Sequence, residues 1–335
     1  MNFRKWIGVL VIMIGTQGAL AQDGLPIFAD YLTDNLYLIH PSSAGLSTKN
    51  KIRLTGRRQW FDVQDAPALT TASVNARVTE KVGVGGILFA DDNGFFSQRG
   101  AFGTFAYHLL LGRNYVDLNQ LSFGISIGFI QNQLDETGFD LTTGDPVIGG
   151  IVQSDTFINA DIGVTYNVYN FVAHLTVKNL LPMERDIFTP QFEPNNQRRF
   201  LLSTAYTFGK FYSKWDFEPS VLFQYTDQTQ ESSIDLNFKA FYELDWGKIW
   251  GGISYRRALD GAEFTAGTDS DVSTQFFQTV TPFLGVNYKK YVFAYTFSNQ
   301  INDVVISNAG IHQITLGYNF GKRREPYDCN CPAVN

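Results

Sequence analysis

The feature that most constrains this chain is an alternation of apolar and polar residues, repeated between turn signals along its length. Residues 234–246 give the clearest case. Even positions read Ile234, Leu236, Phe238, Ala240, Tyr242, Leu244 and Trp246, and odd positions Asp235, Asn237, Lys239, Phe241, Glu243 and Asp245. Successive side chains on a strand point to opposite faces, so this segment carries one apolar face and one mostly charged face. Globular strands average about 5–6 residues, whereas a strand tilted across a bilayer needs about 9–11. A chain built from such segments is expected to close into a transmembrane β-barrel rather than a soluble sandwich.

The same pattern yields fourteen strand candidates: 51–60, 69–78, 82–90, 99–110, 116–133, 156–168, 171–178, 199–208, 214–226, 233–246, 249–258, 273–288, 291–300 and 306–320. Links at 80–81, 112–114, 169–170, 209–210, 247–248 and 289–290 are short. Those at 61–68, 91–98, 134–155, 179–198, 227–232, 259–272 and 301–305 are longer and polar. Strict alternation of short and long links is the habit of outer-membrane barrels, with short periplasmic turns and longer extracellular loops. The expected fold is therefore all-β: a 14-stranded antiparallel transmembrane β-barrel over 49–321, in contact with outer-membrane lipid, with both mature ends periplasmic.

The remaining segments read differently. Arg4 and Lys5, an apolar run over 6–14 and the small residues Ala19 and Ala21 make 1–21 a secretory signal, with cleavage expected between Ala21 and Gln22. Residues 22–48 hold Phe28, Tyr31, Leu36, Tyr37, Leu38 and Ile39, too apolar for a disordered linker. They are expected to form an N-terminal plug inside the barrel or a segment across its periplasmic mouth; a short helix beneath the barrel is the competing picture. Residues 322–335 are expected to be a periplasmic tail carrying Cys329 and Cys331, whose ring is too short for an unstrained disulfide.

If apolar faces meet lipid, the opposite faces line the lumen. They carry Lys51, Arg53, Arg57, Arg77, Lys178 and Lys239, with Asp161, Asp216, Glu218, Asp235, Glu243 and Asp245. An Arg or Lys turned toward lipid at mid-depth would cost about 2–4 kcal/mol. Inside, these charges either line a selective aqueous path or form a network that fills a closed lumen, and the second is preferred. Aromatics are 15% of the chain, which suits interfacial belts, and Trp215, Trp246 and Trp250 fall near predicted strand ends.

A net charge of −6 leaves no nucleic-acid footprint. His40, His108, His174 and His312 are scattered outside metal-ligand spacing, and no nucleophile elbow, phosphate loop or dinucleotide fingerprint occurs. No enzymatic activity, cofactor or metal is therefore expected. Gly83, Gly85 and Gly86 sit within a strand candidate and predict a wall bend or close strand packing.

Several short motifs occur in a distinctive order. They are His40-Pro41-Ser42-Ser43-Ala44-Gly45, Arg57-Arg58-Gln59-Trp60, Ala66-Pro67, the Gly-rich third strand, Asp91-Asp92-Asn93-Gly94, and a last strand ending on Phe320. The chain in this respect resembles the PorP/SprF membrane proteins of the type IX secretion system of Bacteroidetes. His40 and Ser43 stand where that family usually has Asn and Tyr. The resemblance implies an outer-membrane barrel that assists export or surface retention of large, adhesin-like cargo, including in gliding bacteria. Its implied partners are cargo with a C-terminal sorting domain and components of the secretion machine. Docking is implied rather than conduction, since such a barrel is too narrow for a folded adhesin. The longest expected outer loops supply the candidate cargo-facing residues Asp135, Glu136, Asp140, Asp145, Glu184, Arg185, Asp186 and Glu193. The rival class is a channel for hydrophobic small molecules like the FadL transporters, which a lateral opening or an apolar cavity beside the plug would favour.

Overall fold

The structure, a computed structural model, describes residues 29–60, 65–112, 118–139, 150–181, 187, 197–209, 213–265, 272–301 and 309–321. Its wall strands are β1 (Asn50–Gln59), β2 (Ala68–Arg77), β3 (Val82–Asn93), β4 (Phe96–Leu110), β5 (Asn119–Asp135), β6 (Val152–Val168) and β7 (Phe171–Lys178). There follow β8 (Arg199–Tyr206, resumed at Phe208–Gly209), β9 (Trp215–Thr226), β10 (Ser232–Leu244), β11 (Gly247–Thr265), β12 (Val272–Tyr288), β13 (Tyr291–Gln300) and β14 (Ile311–Phe320). Each pairs antiparallel with its sequence neighbours, and β1 pairs with β14 from Asn50–Phe320 to Gln59–Ile311. That last pairing closes fourteen strands into a barrel, so that among the described residues no strand stands at a free sheet edge over its whole length.

The interruption of β8 has a local cause. Its ladder with β9 runs to Ala205–Ser220 and resumes at Phe208–Phe217. Pro219 lies opposite the gap and has no N–H to donate.

Period-two patterning sorts the two faces. Leu54, Leu88, Ile127, Ile158, Leu175, Leu236, Ile253, Leu284 and Ile314 are exposed on the outer surface, while Arg53, Thr55, Ser126, Asn159 and Thr315 are buried inside. Near the tight-turn end the outer aromatics pair: Trp215 with Tyr242 at 4.8 Å, Trp246 with Tyr288 at 5.5 Å and Tyr291 with Tyr318 at 5.4 Å. Rings that are apolar yet carry one hydrogen-bonding atom favour the membrane interface.

Four expectations need correction. The link expected at 247–248 falls instead at Asp245 and Trp246, so Gly247 and Lys248 belong to β11 and Asp245 is exposed in the turn rather than luminal. The link over 91–98 shrinks to Gly94 and Phe95, because β3 and β4 pair as far as Asn93–Phe96 and Gly94 adopts φ +60°. Short and long links thus do not alternate strictly. Residues 259–265 likewise extend β11, beyond a register irregularity between Arg257 and Gly261. Finally, Trp250 is only 3% exposed and faces the lumen, where apolar side chains pack against the folded N-terminal segment. The expected signal segment, the tail and both cysteines lie outside the described residues.

Candidate functional site

Inside the barrel, residues 29–48 form three 3-10 turns, Asp30–Thr33, Leu36–Leu38 and Pro41–Ser43. Asp34 in left-handed backbone ends the first, and Pro41 opens the third after an extended His40. Such short turns leave many backbone and side-chain polar groups to be satisfied elsewhere, and here the barrel wall takes up several of them.

The contacts run round the circumference. The Tyr31 hydroxyl donates to Asp235 of β10 at 2.7 Å, and the Thr33 and Thr315 hydroxyls meet across to β14 at 3.0 Å. Tyr37 donates to Thr104 of β4 at 2.6 Å. His40 is held by Thr176 of β7 at 2.8 Å through Nδ1 and by Ser203 of β8 at 2.9 Å through Nε2. Its ring stacks on His174, centroids 4.4 Å apart. The Ser42 and Thr165 hydroxyls lie 2.7 Å apart, and the Gly45 N–H donates to Asn75 of β2 at 3.2 Å. His108 of β4 contacts the Ala44 carbonyl through Nε2 at 3.1 Å. Leu32, Tyr37, Leu38 and Ile39 pack on inward Ile87, Leu201, Leu222, Trp250 and Phe283. The segment is a plug, and it sits inside the barrel rather than beneath it.

Close approach explains the wall glycines. A Cβ at Gly83 would lie 2.1 Å from the Ala44 carbonyl oxygen, and one at Gly124 would lie 2.3 Å from the Ser42 nitrogen. Gly83 and Gly85 of the third strand therefore serve plug packing, Gly85 lying against the Tyr37 ring and close to Val74 of the neighbouring strand, whereas Gly86 meets no plug atom. Gly45 combines φ +66° with a Cβ position 2.7 Å from the Ala76 oxygen, so a side chain is excluded there twice over.

The luminal charges mostly form a structural network. Asp34 takes hydrogen bonds from Lys51 at 2.8 Å and Arg53 at 2.7 Å, and the Arg53 side chain is 0% exposed. Burial opposes ionisation of Asp34, but the two cations override it and hold its carboxyl well below the usual carboxylate range. Burial pushes the Tyr31 and Tyr37 hydroxyls up. Burial, then His174 and Lys178, holds the His40 imidazole well below its ordinary value. Asp161 pairs with Lys178 at 2.7 Å, and Arg256 forks onto Asp235 with two bonds of 2.7 Å. Arg77 donates to the Gly45 carbonyl at 3.2 Å, and Arg57 is buried inside. Asp216, Glu218 and Glu243 instead line a cavity beside the plug, where Glu243 pairs with Lys248 at 3.0 Å.

The motif positions separate into two groups. His40, Pro41 and Gly45 seat the plug, whereas Gln59, Trp60 and Pro67 lie at the long-loop end. There the Gln59 N–H donates to the Pro67 carbonyl at 2.9 Å and the Trp60 N–H to Gly310 at 3.0 Å. Of the candidate cargo-facing residues, Asp135 caps the turn at Thr137, accepting its N–H at 3.0 Å. Glu136 is only 4% exposed and accepts from Gln153 at 2.7 Å, so it braces the loop base and is corrected out of that group. Asp140, Asp145, Glu184, Arg185, Asp186 and Glu193 lie outside the described residues. The sequence reading missed His108, His174 and Arg256 as plug contacts or their supports. The available signal was parity, since each sits on the inward face of its strand. Among the described residues no group of three His, Cys, Asp or Glu side chains is placed to hold a metal ion.

A closed antiparallel barrel with an outer apolar band and a folded segment bonded within its lumen defines a plugged transmembrane β-barrel. Residues 21–318 match the family described as type IX secretion system membrane protein PorP/SprF, and the chain belongs to that family. It is accordingly a secretion-associated outer-membrane barrel. None of the curated proteins compared with the chain matches it. Among solved structures, the Pseudomonas putida toluene transporter TodX is 11% identical, covering 90% of this chain and 98% of that one at a TM-score of 0.47. BamA from Haemophilus ducreyi lacking POTRA domains 1–3 is 8% identical, covering 82% of this chain and 70% of that one at a TM-score of 0.40.

Proposed function

We propose that this protein is a docking component of type IX secretion, which holds exported cargo at the cell surface and does not conduct it. The observation that carries the reading is the lumen, whose plug is hydrogen-bonded to strands on opposite sides of the barrel. A barrel so filled is a scaffold, and scaffolds present their loops. The loops between β5 and β6 and between β7 and β8 are assigned to the cargo's C-terminal sorting domain. Ala21 ends a signal that directs export, and mature chains begin at Gln22. The tight turns and the tail with Cys329 and Cys331 face the periplasm, where components of the secretion machine meet them.

Deleting 140–149 or 182–192 is expected to release cargo into the medium while the barrel still reaches the outer membrane in normal amount. Surface proteomics and membrane fractionation read both effects. Cargo retained at wild-type levels refutes the loop assignment. A strain that secretes normally but fails to take up hydrophobic small molecules points to the channel function instead.

A further inference from the structure

A cavity of 350 Å³ lies between the plug and the inner faces of β7–β12, flanked by Leu32, Asp34 and Leu36. Small-molecule sites occupy about 300–1,000 Å³. The cavity reaches the tight-turn end, since Asp216, Glu243 and Lys248 lie within two residues of their strand ends. One side is apolar, formed by Leu36, Leu222, Trp250 and Phe283.

Its charges are arranged unusually. Glu218 of β9 and Lys239 of β10 are direct cross-strand partners. Opposite charges so placed, with Cβ atoms about 4.5–5.5 Å apart, ordinarily pair. Here they do not. The Lys239 ammonium turns to the Leu32 carbonyl at 3.2 Å and sits 4.3 Å from the centroid of the Trp250 ring. Glu218 turns the other way, to the Thr207 hydroxyl at 3.2 Å. Among the described residues neither comes within 4 Å of an opposite charge, and both line the cavity. A third group points to a ligand. His174 is 2% exposed and lines the same cavity, its Nδ1 bonds Thr165 at 2.7 Å, and its Nε2 has no protein partner. Buried polar atoms are usually satisfied, so His174 Nε2 on the cavity wall is available to hydrogen-bond a bound molecule.

We propose that this cavity binds a small zwitterion with an apolar body, its anionic group on Lys239, its ammonium on Glu218 and its body against Leu36, Leu222, Trp250 and Phe283. An ammonium has three donors and Lys239 commits one to Leu32, which leaves donors for a carboxylate or phosphate. The inference goes beyond docking of cargo at the loops, which lie at the opposite end. A short peptide and a phosphoethanolamine headgroup carry the same pair of charges, and the experiment separates them.

Full-length protein in a non-ionic detergent is titrated calorimetrically with the dipeptide Ala-Phe, with its N-acetyl and C-amide forms, and with the short-chain lipid dihexanoylphosphatidylethanolamine. Saturable binding of Ala-Phe or dihexanoylphosphatidylethanolamine is expected, and the one that binds names the source. For the peptide, blocking either charge should weaken binding at least tenfold. Glu218→Gln and Lys239→Met should each do the same for whichever ligand binds, while the protein keeps its heat-modifiable gel mobility. Absence of saturable binding by both probes overturns the proposal. So does binding that is indifferent to the blocked ligands or to Glu218→Gln, a near-isosteric change that avoids the risk that Lys239→Met misfolds.

Discussion

Asp34→Ala is expected to unseat the plug. The change leaves Arg53, whose side chain is 0% exposed, and Lys51 beside it without the carboxylate that both contact. Removing one member of a buried ion pair costs about 3–5 kcal/mol, because the remaining charge stays desolvated and uncompensated. Since each 1.4 kcal/mol is about tenfold in an equilibrium, the population of undocked plug should rise by about a hundredfold or more. Thermolysin, which cuts before large apolar residues, reads this directly. Leu38 and Ile39 are buried in the seated plug and become cleavable once it leaves. Asp34→Asn keeps acceptor geometry without the charge and should fall between wild type and alanine. Equal cleavage rates for wild type and Asp34→Ala would remove Asp34 as the anchor.

Gly124→Val should have a comparable effect by steric means. A Cβ there would stand 2.3 Å from the Ser42 nitrogen and 2.4 Å from the Pro41 carbonyl carbon. Both neighbours are backbone, so no side chain can swing aside and the third plug turn must move. Overpacking a well-filled core costs about 1–3 kcal/mol, and more where relaxation is blocked. Gly103→Val is the matched control, because Gly103 faces outward and a Cβ there would meet the Ile127 oxygen only at 3.9 Å. The expected result is rapid thermolysin cleavage of Gly124→Val with Gly103→Val unchanged and both proteins still heat-modifiable. Equal protection of the two variants would mean that the plug does not lie on this wall.

The barrel was legible because lipid and lumen impose opposite demands on alternate residues, and β10 obeys them nearly without exception. Legibility failed where the plug supplies a second apolar environment. On β3, Ile87 and Phe89 face inward and are buried, while Leu88 between them faces out and is exposed. On β4, Phe102 and Ala106 pack inward against the plug cluster, which blurs the alternation of that strand. Trp250 was misplaced for the same reason. The inward charges were found by parity alone, but their partners were not. Asp34 and Tyr31 lie on the plug, whose path through the lumen has no period to read. The contacts of Asp34 with β1 and of Tyr31 with β10 join residues 17–19 and 204 positions apart. No local pattern encodes such separations.

The central claim is that the plug closes the lumen, so that the protein acts through its surfaces. Conductance of the purified full-length protein in planar lipid bilayers tests it most directly. Wild type should insert without a steady current, and Asp34→Ala should show open-pore steps under the same conditions. A stable ohmic pore in wild type, as large as that of Asp34→Ala, would contradict the account.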